Sequence, residues 1–169
     1  MAEIIKVYKE SFPALRLIGK RYSNKDMING SFGHLWGKWF ELGWFDELEK
    51  LGQVKGLENG YLGFMRNHPD QEYWIGIFLP PDTAAPAGYS YIDMPAAEVA
   101  ICWIKAKEDD YTIYTMHEQC FQKCQENNFS NFMKAPDNSP YTFERYNSPR
   151  FTNKDEQNNI ILDFGIYLD

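Results

Sequence analysis

The chain repeats itself, and the repetition limits its possible folds more than any other feature. Phe12-Pro13-Ala14 matches Met94-Pro95-Ala96 at an offset of 82 (95 − 13), and Tyr61 matches Tyr141 at 80 (141 − 61). Gly76-Ile77-Phe78-Leu79 matches Gly165-Ile166-Tyr167-Leu168 at 89 (165 − 76). The offsets drift with loop length while the order holds, as in a repeated unit. Short apolar strands resemble one another by chance, but three matches in one order favour duplication. Patterning fills in the elements. Strands are expected over residues 4–10, 14–22, 61–66 and 73–79, with the turn Asn67-His68-Pro69-Asp70 joining the last two. A helix is expected after the N-cap Ser31, with Phe32, Leu35, Trp36, Trp39, Phe40, Leu48 and Leu51 on one stripe. Beyond the proline-rich linker 80–86 the order recurs, with strands over 89–93 and 97–104, a helix over 112–125 and strands over 141–147 and 160–168.

One domain over 1–169 follows, with repeat one over about 1–80 and repeat two over about 88–169. The expected fold is α+β: a duplicated β-α-β-β unit with pseudo-twofold symmetry. It forms a mixed sheet with two main helices on one face and a ligand cleft on the other. Period-two alternation assigns side chains to the faces. Ile160, Leu162, Phe164, Ile166 and Leu168 belong under the helices, whereas Asp163, Gly165 and Tyr167 face away. The matched glycines put Trp74 and Phe78 with Tyr167, and the Tyr61/Tyr141 match equates Glu144 with Phe64. Phe64, Trp74 and Phe78 should then oppose Glu144, Tyr146 and Tyr167 across the cleft, with Trp103 nearby late in a central strand.

Aromatic residues make up 17% of the 169 residues, and so many Tyr and Trp suit the wall of a partly wet pocket. The net charge of −7 disfavours direct nucleic-acid binding, which draws on Lys and Arg, and slightly favours a cationic ligand. Cys102, Cys120 and Cys124 have no framework spacing, and Cys120 and Cys124 would share a helix face as small apolar residues. With no signal-like opening and no apolar run near the ~18 residues of a membrane helix, the expectation is a cytoplasmic protein without membrane contact. It is read as a monomer, or a dimer that leaves the cleft open.

Glu144 is the leading site residue. A carboxylate among aromatic rings needs a cation or hydrogen bonds to stay ionised, and the competing reading pairs it with Arg145, Arg66 or a lysine. Asp163 reads as a solvated residue near a turn. His34, His68 and His117 form no metal motif, and His117 reads as a core residue on an apolar helix face. Gly33-x-x-x-Gly37-Lys38 falls short of a phosphate-binding loop, and no Gly-x-Ser-x-Gly elbow is present. No metal or cofactor is expected.

Gly88-Tyr89-Ser90-Tyr91-Ile92-Asp93-Met94-Pro95-Ala96-Ala97-Glu98-Val99-Ala100 resembles the second-repeat opening of the GyrI-like small-molecule-binding domain, also the effector-binding module of AraC- and MerR-type multidrug regulators. Tyr141-Thr142-Phe143-Glu144-Arg145-Tyr146 is similar to its acidic strand, and Phe164-Gly165-Ile166-Tyr167-Leu168 to its closing strand. The resemblance covers essentially the whole chain. It implies a ligand cleft between the halves, with Glu144 among aromatic rings that contact lipophilic, often cationic compounds. A DNA-binding segment beside these motifs is not expected, so a regulatory role is read as indirect, and the Trp-rich first helix (Trp36, Trp39, Trp44) departs from the pattern and is expected to narrow the cleft. The expected function is a stand-alone binder that senses or sequesters such compounds. One alternative is a hydrolase of cyclopropane-type toxins, with Glu144 as general base and Tyr146 or Tyr167 polarising the substrate. Another is a module that interacts with a topoisomerase.

Overall fold

The computed structural model describes residues 1–67 and 71–169. The turn expected at His68-Pro69-Asp70 lies outside them. The first half contains β1 (Glu3–Phe12), β2 (Leu15–Ser23), helices α1 (Gly33–Glu41) and α2 (Trp44–Glu49), then β3 (Tyr61–Asn67) and β4 (Gln71–Leu79). The second contains β5 (Ser90–Met94), β6 (Ala97–Lys107), a 3-10 turn at Tyr111–Thr115, α3 (His117–Glu126), β7 (Thr142–Tyr146) and β8 (Asn159–Tyr167). The expected first helix is broken in two at Gly43, whose φ of 69° belongs to the left-handed region open to glycine. The N-cap is Phe32 rather than Ser31 and carries no side-chain cap, while the Ser31 hydroxyl, one residue earlier, accepts the Gly33 N–H at 3.0 Å.

The eight strands form one sheet in the order β1-β6-β8-β7-β3-β4-β2-β5. The α+β class stands. The sheet expected from β-α-β units is present, with every described pairing antiparallel. Exchanging β1 with β5, β2 with β6, β3 with β7 and β4 with β8 turns this order into its own reverse. Registers follow the same exchange: Gly19 opposes Gly76 in one half, and Ile101 opposes Gly165 in the other. These pairs are related by the offsets 82 (101 − 19) and 89 (165 − 76). The β3/β7 offset differs from the sequence match. Leu62 and Phe143 face the equivalent glycines Gly76 and Gly165, so the structural offset is 81 (143 − 62).

The short corners dictate the shape. β1 and β2 lie six intervals apart in the sheet order, about 29 Å in a flat sheet at ~4.8 Å per strand. Only Pro13 and Ala14 join them, and three virtual bonds of ~3.8 Å reach about 11 Å at most. Pro95-Ala96 joins β5 to β6 across the same span. The sheet must therefore curl until its two ends approach. Its concave face becomes a core of Phe12, Leu17, Leu62, Phe64, Trp74, Met94, Ile101, Phe143 and Tyr167, all buried. Eight strands give an interior that side chains can fill. Val54 and Leu57 from one loop, and Met133 and Tyr141 from another, pack against it.

The convex face carries the helices. Trp39, Phe45 and Leu48 pack on Ile18, Ile75, Ile77 and Leu79. Cys120 and Cys124 of α3 pack on Cys102, Ile104, Leu162, Phe164 and Ile166, with the Cys102 and Cys124 sulfurs 3.8 Å apart. Both helical layers lie on one side, as expected, and the Ile160–Leu168 apolar row lies beneath α3. No described helix is long and apolar enough to cross a membrane.

Glycine at 165 is required by contact: an added Cβ would run into the Phe143 ring. Gly165→Leu should therefore lose about 1–3 kcal/mol of unfolding free energy in urea melts. Gly37→Ala, in α1 with open space around it, should instead gain about 0.5–1 kcal/mol.

Candidate functional site

A cavity of about 630 Å³ opens on the convex side, between the two helical layers, around Glu144. β3 and β7 are neighbours in the middle of the sheet, and Gly63 lies directly opposite Glu144. Glycine leaves room there: a Cβ at Gly63 would meet the Tyr73 phenol oxygen at 2.5 Å. The cavity floor is therefore Glu144 and Tyr146 of β7, Tyr61 and Met65 of β3, and Tyr73 of β4. Phe32, Trp36 and Phe40 line it from α1 and its approach, Tyr111, Tyr114 and His117 from the second half, and Phe151 and Thr152 complete it.

Hydrogen bonds and ring contacts fix these walls. Trp36 Nε1 donates to the Tyr73 hydroxyl at 2.9 Å, and Phe32 stacks on Tyr73 with centroids 4.2 Å apart. Trp36 and Phe151 meet the Tyr146 ring edge-on, each at 4.7 Å. Tyr61 is stacked flat on Phe45 at 3.8 Å. His117 stacks on Phe164 at 4.3 Å.

Glu144 is only 5% exposed. Its Oε1 accepts a long hydrogen bond from Tyr146 at 3.4 Å, while its Oε2 has no hydrogen-bond partner. His117 Nε2, also unpartnered, lies 3.6 Å from Oε2. Neighbouring strand residues face opposite ways, so Arg145 points into the concave side. There it binds Asp163 at 2.8 Å, Glu10 at 3.1 Å and Glu58 at 3.3 Å, and Arg150 reaches Asp163 at 2.6 Å. The nearest arginine in sequence is thereby withdrawn from Glu144, and no lysine or arginine lines the cavity among the described residues. Nor do the described residues gather three or more His, Cys, Asp or Glu for a metal ion.

The structure brings together two of the seven candidate residues, Glu144 and Tyr146. Phe64, Trp74, Phe78, Trp103 and Tyr167 sit on the opposite, concave side. Trp74 donates to buried Glu72 at 2.7 Å, Trp103 to the Tyr8 hydroxyl at 3.2 Å, and Tyr167 is fully buried in the concave core. The cause is the one-residue difference between offsets 80 and 81, because a slip of one flips every side chain to the other face. Glu144 corresponds to Gly63, not Phe64. The cavity accordingly lies on the helix side, whereas the face away from the helices is the filled interior of the curl. Asp163, read as solvated, is fully buried in its ion pairs. Of the residues the sequence reading left out, Trp36 carried a signal in the Trp-rich first helix and His117 in its place on the α3 face. Tyr73, Tyr111 and Tyr114 carried none beyond their abundance.

Comparisons with known proteins agree on the fold. No family model matches the sequence, and no curated protein matches it. Solved structures match over nearly its full length. A Staphylococcus aureus MU50 protein, provisionally named as a bacterial transcription regulation protein, is similar with a TM-score of 0.64 at 16% identity, covering 98% of this chain and 99% of its own. SAV2435 bound to tetraphenylphosphonium is similar with a TM-score of 0.67 at 15% identity, covering 98% and 94%. The EcmrR C-terminal domain follows with a TM-score of 0.55 at 11% identity, covering 97% of each.

The phenols around Glu144 resist ionisation. Burial, and next the Glu144 charge, push Tyr146 well above the ordinary tyrosine range and raise Tyr73 and Tyr114, the last to about 12. Burial also raises Tyr61, aided by its hydrogen bond to Glu49. Unfolded tyrosine ionises near pH ~10, so these phenols contribute stability that is fully present below that pH and lost as pH rises above it. Tyrosinate absorbance should show part of the 11 tyrosines titrating only as the protein unfolds in alkali.

Proposed function

We propose that the chain is a GyrI-like effector-binding domain that senses or sequesters lipophilic aromatic cations in the cavity around Glu144. The observation that carries this is a buried carboxylate oxygen without a hydrogen-bond partner, inside an aromatic chamber that no lysine or arginine among the described residues lines. An ionised carboxylate so placed is poorly solvated and gains most from a cation brought in by a ligand. Trp36, Tyr146, Tyr73 and Phe151 offer ring faces and edges around the same point, and each cation–π contact is worth roughly 0.5–2 kcal/mol. The cavity has the size of a small-molecule site. SAV2435, similar in fold, is itself bound to tetraphenylphosphonium, an aromatic cation, and the regulator-related neighbours support an effector-binding role.

The proximity of His117 to Glu144 favours one second reading, a hydrolase. In it Glu144 takes a proton from water while the water attacks an electrophilic ligand, and the imidazole supplies or receives a proton nearby. Tyr167 has no part in this, being sealed within the concave core.

One substitution separates the two. For a binder, Glu144→Gln should weaken tetraphenylphosphonium by about 1.5–3 kcal/mol in calorimetry, roughly ten- to a hundredfold. Neutral triphenylphosphine oxide should change far less, because the rings remain. For a hydrolase, the same variant should keep its affinity for a cyclopropane-bearing substrate and lose turnover. Unchanged affinity for every cationic probe that Trp36→Ala weakens would remove Glu144 from the site.

A further inference from the structure

A second hollow of about 500 Å³ adjoins the aromatic chamber, and Tyr61, Tyr146 and Thr152 line both. Tyr61 stands between them, its ring held flat against Phe45 at 3.8 Å. Beyond it the chemistry changes. The aromatic chamber is walled mainly by rings, whereas the second hollow adds Glu49, Gln53, Asn59, Ser148 and Thr152 to an apolar lining of Tyr61, Ile77, Phe78 and Tyr146.

Charge links the two spaces. The chain has 17 lysines and arginines, yet none lines either hollow among the described residues. Each hollow contains one carboxylate, Glu144 in the first and Glu49 in the second. Glu49 enters no ion pair among the described residues, and its charge helps to raise the Tyr61 phenol. Each space thus offers a cation one carboxylate, buried in the first and exposed in the second, and the second adds hydrogen-bonding side chains beside it.

We infer that the site is bipartite and takes an elongated dication: an aromatic cationic head at Glu144 and a flexible tail ending in a protonated amine at Glu49. The inference rests on the binding reading given above and adds the shape and second charge of the ligand. The tail passes Tyr61 and Tyr146, and its ammonium donates to Glu49, Gln53 or Asn59. Glu49 is exposed, so its contribution is modest and sensitive to salt.

The test compares alkyltriphenylphosphonium ions with partners of equal chain length ending in a primary amine, across a series of lengths, by calorimetry in low salt. The terminal amine should tighten binding about three- to tenfold at a preferred chain length, and added salt should shrink the gain. Glu49→Gln should erase that gain while leaving the plain alkyl ions unchanged, and Glu144→Gln should weaken both series. Equal affinities in the two series at every length, or a gain that survives Glu49→Gln, would overturn the second subsite and leave the first intact. Failure of every phosphonium ion to bind would overturn the binding reading itself, and the bipartite site with it.

Discussion

The register of β3 against β7 is the constraint on which the site depends. These two strands join the halves at the middle of the sheet, with Gly63 opposite Glu144. With that pairing set, alternation sends Glu144 and Tyr146 toward the helices and Phe143 and Arg145 into the curl. The two-residue corners at Pro13-Ala14 and Pro95-Ala96 require the curl, and the curl decides which face is filled with side chains and which can hold a cavity. A flat sheet would have left two open faces; this one leaves a single side on which helices can part around a ligand.

Much of this architecture was legible in the sequence. The two Pro-Ala corners and the Gly76/Gly165 match gave offsets that the registers reproduce, because glycines and prolines answer to backbone geometry that tertiary packing cannot easily override. The Tyr61/Tyr141 match rested on a side chain alone. Tyr61 lies under the stacked Phe45 ring at the cavity edge, whereas Tyr141 packs beside Phe64 at the rim of the concave core. Their likeness reflects two separate needs for an aromatic ring, and equating them shifted the strand by one residue. Glu144 and Tyr146 stayed together because both lie on one strand, but the slip moved them to the helix side. The five candidates drawn from other strands kept the face away from the helices, where the curl buries or half-buries them. The curl was hidden for a different reason: sequence periodicity reports which residues share a face, not which strands become neighbours.

The two faces handle charge in contrasting ways. Within the curl, Arg145 and Asp163 are almost wholly buried and satisfy each other together with Arg150, Glu10 and Glu58. Losing one partner from such a network leaves a stranded charge, typically a loss of 3–5 kcal/mol. Across the sheet, one residue away, Glu144 has a buried oxygen without a hydrogen-bond partner, with the His117 imidazole 3.6 Å off. Alternation turns Arg145 away from Glu144, and the network satisfies it there, so the basic side chain nearest in sequence is spent on the concave face.

The position of Glu144 beside Gly63 has a consequence for how such a molecule can arise. Two identical subunits meeting on a twofold axis must place the same side chain on both sides of it. Glutamate there would set two carboxylates against each other, and glycine would leave none. A single acid facing glycine across the axis needs two halves of different sequence, and one polypeptide holding both supplies them. Covalent fusion therefore allows an asymmetry at the centre of the sheet that a homodimer of either half could not have.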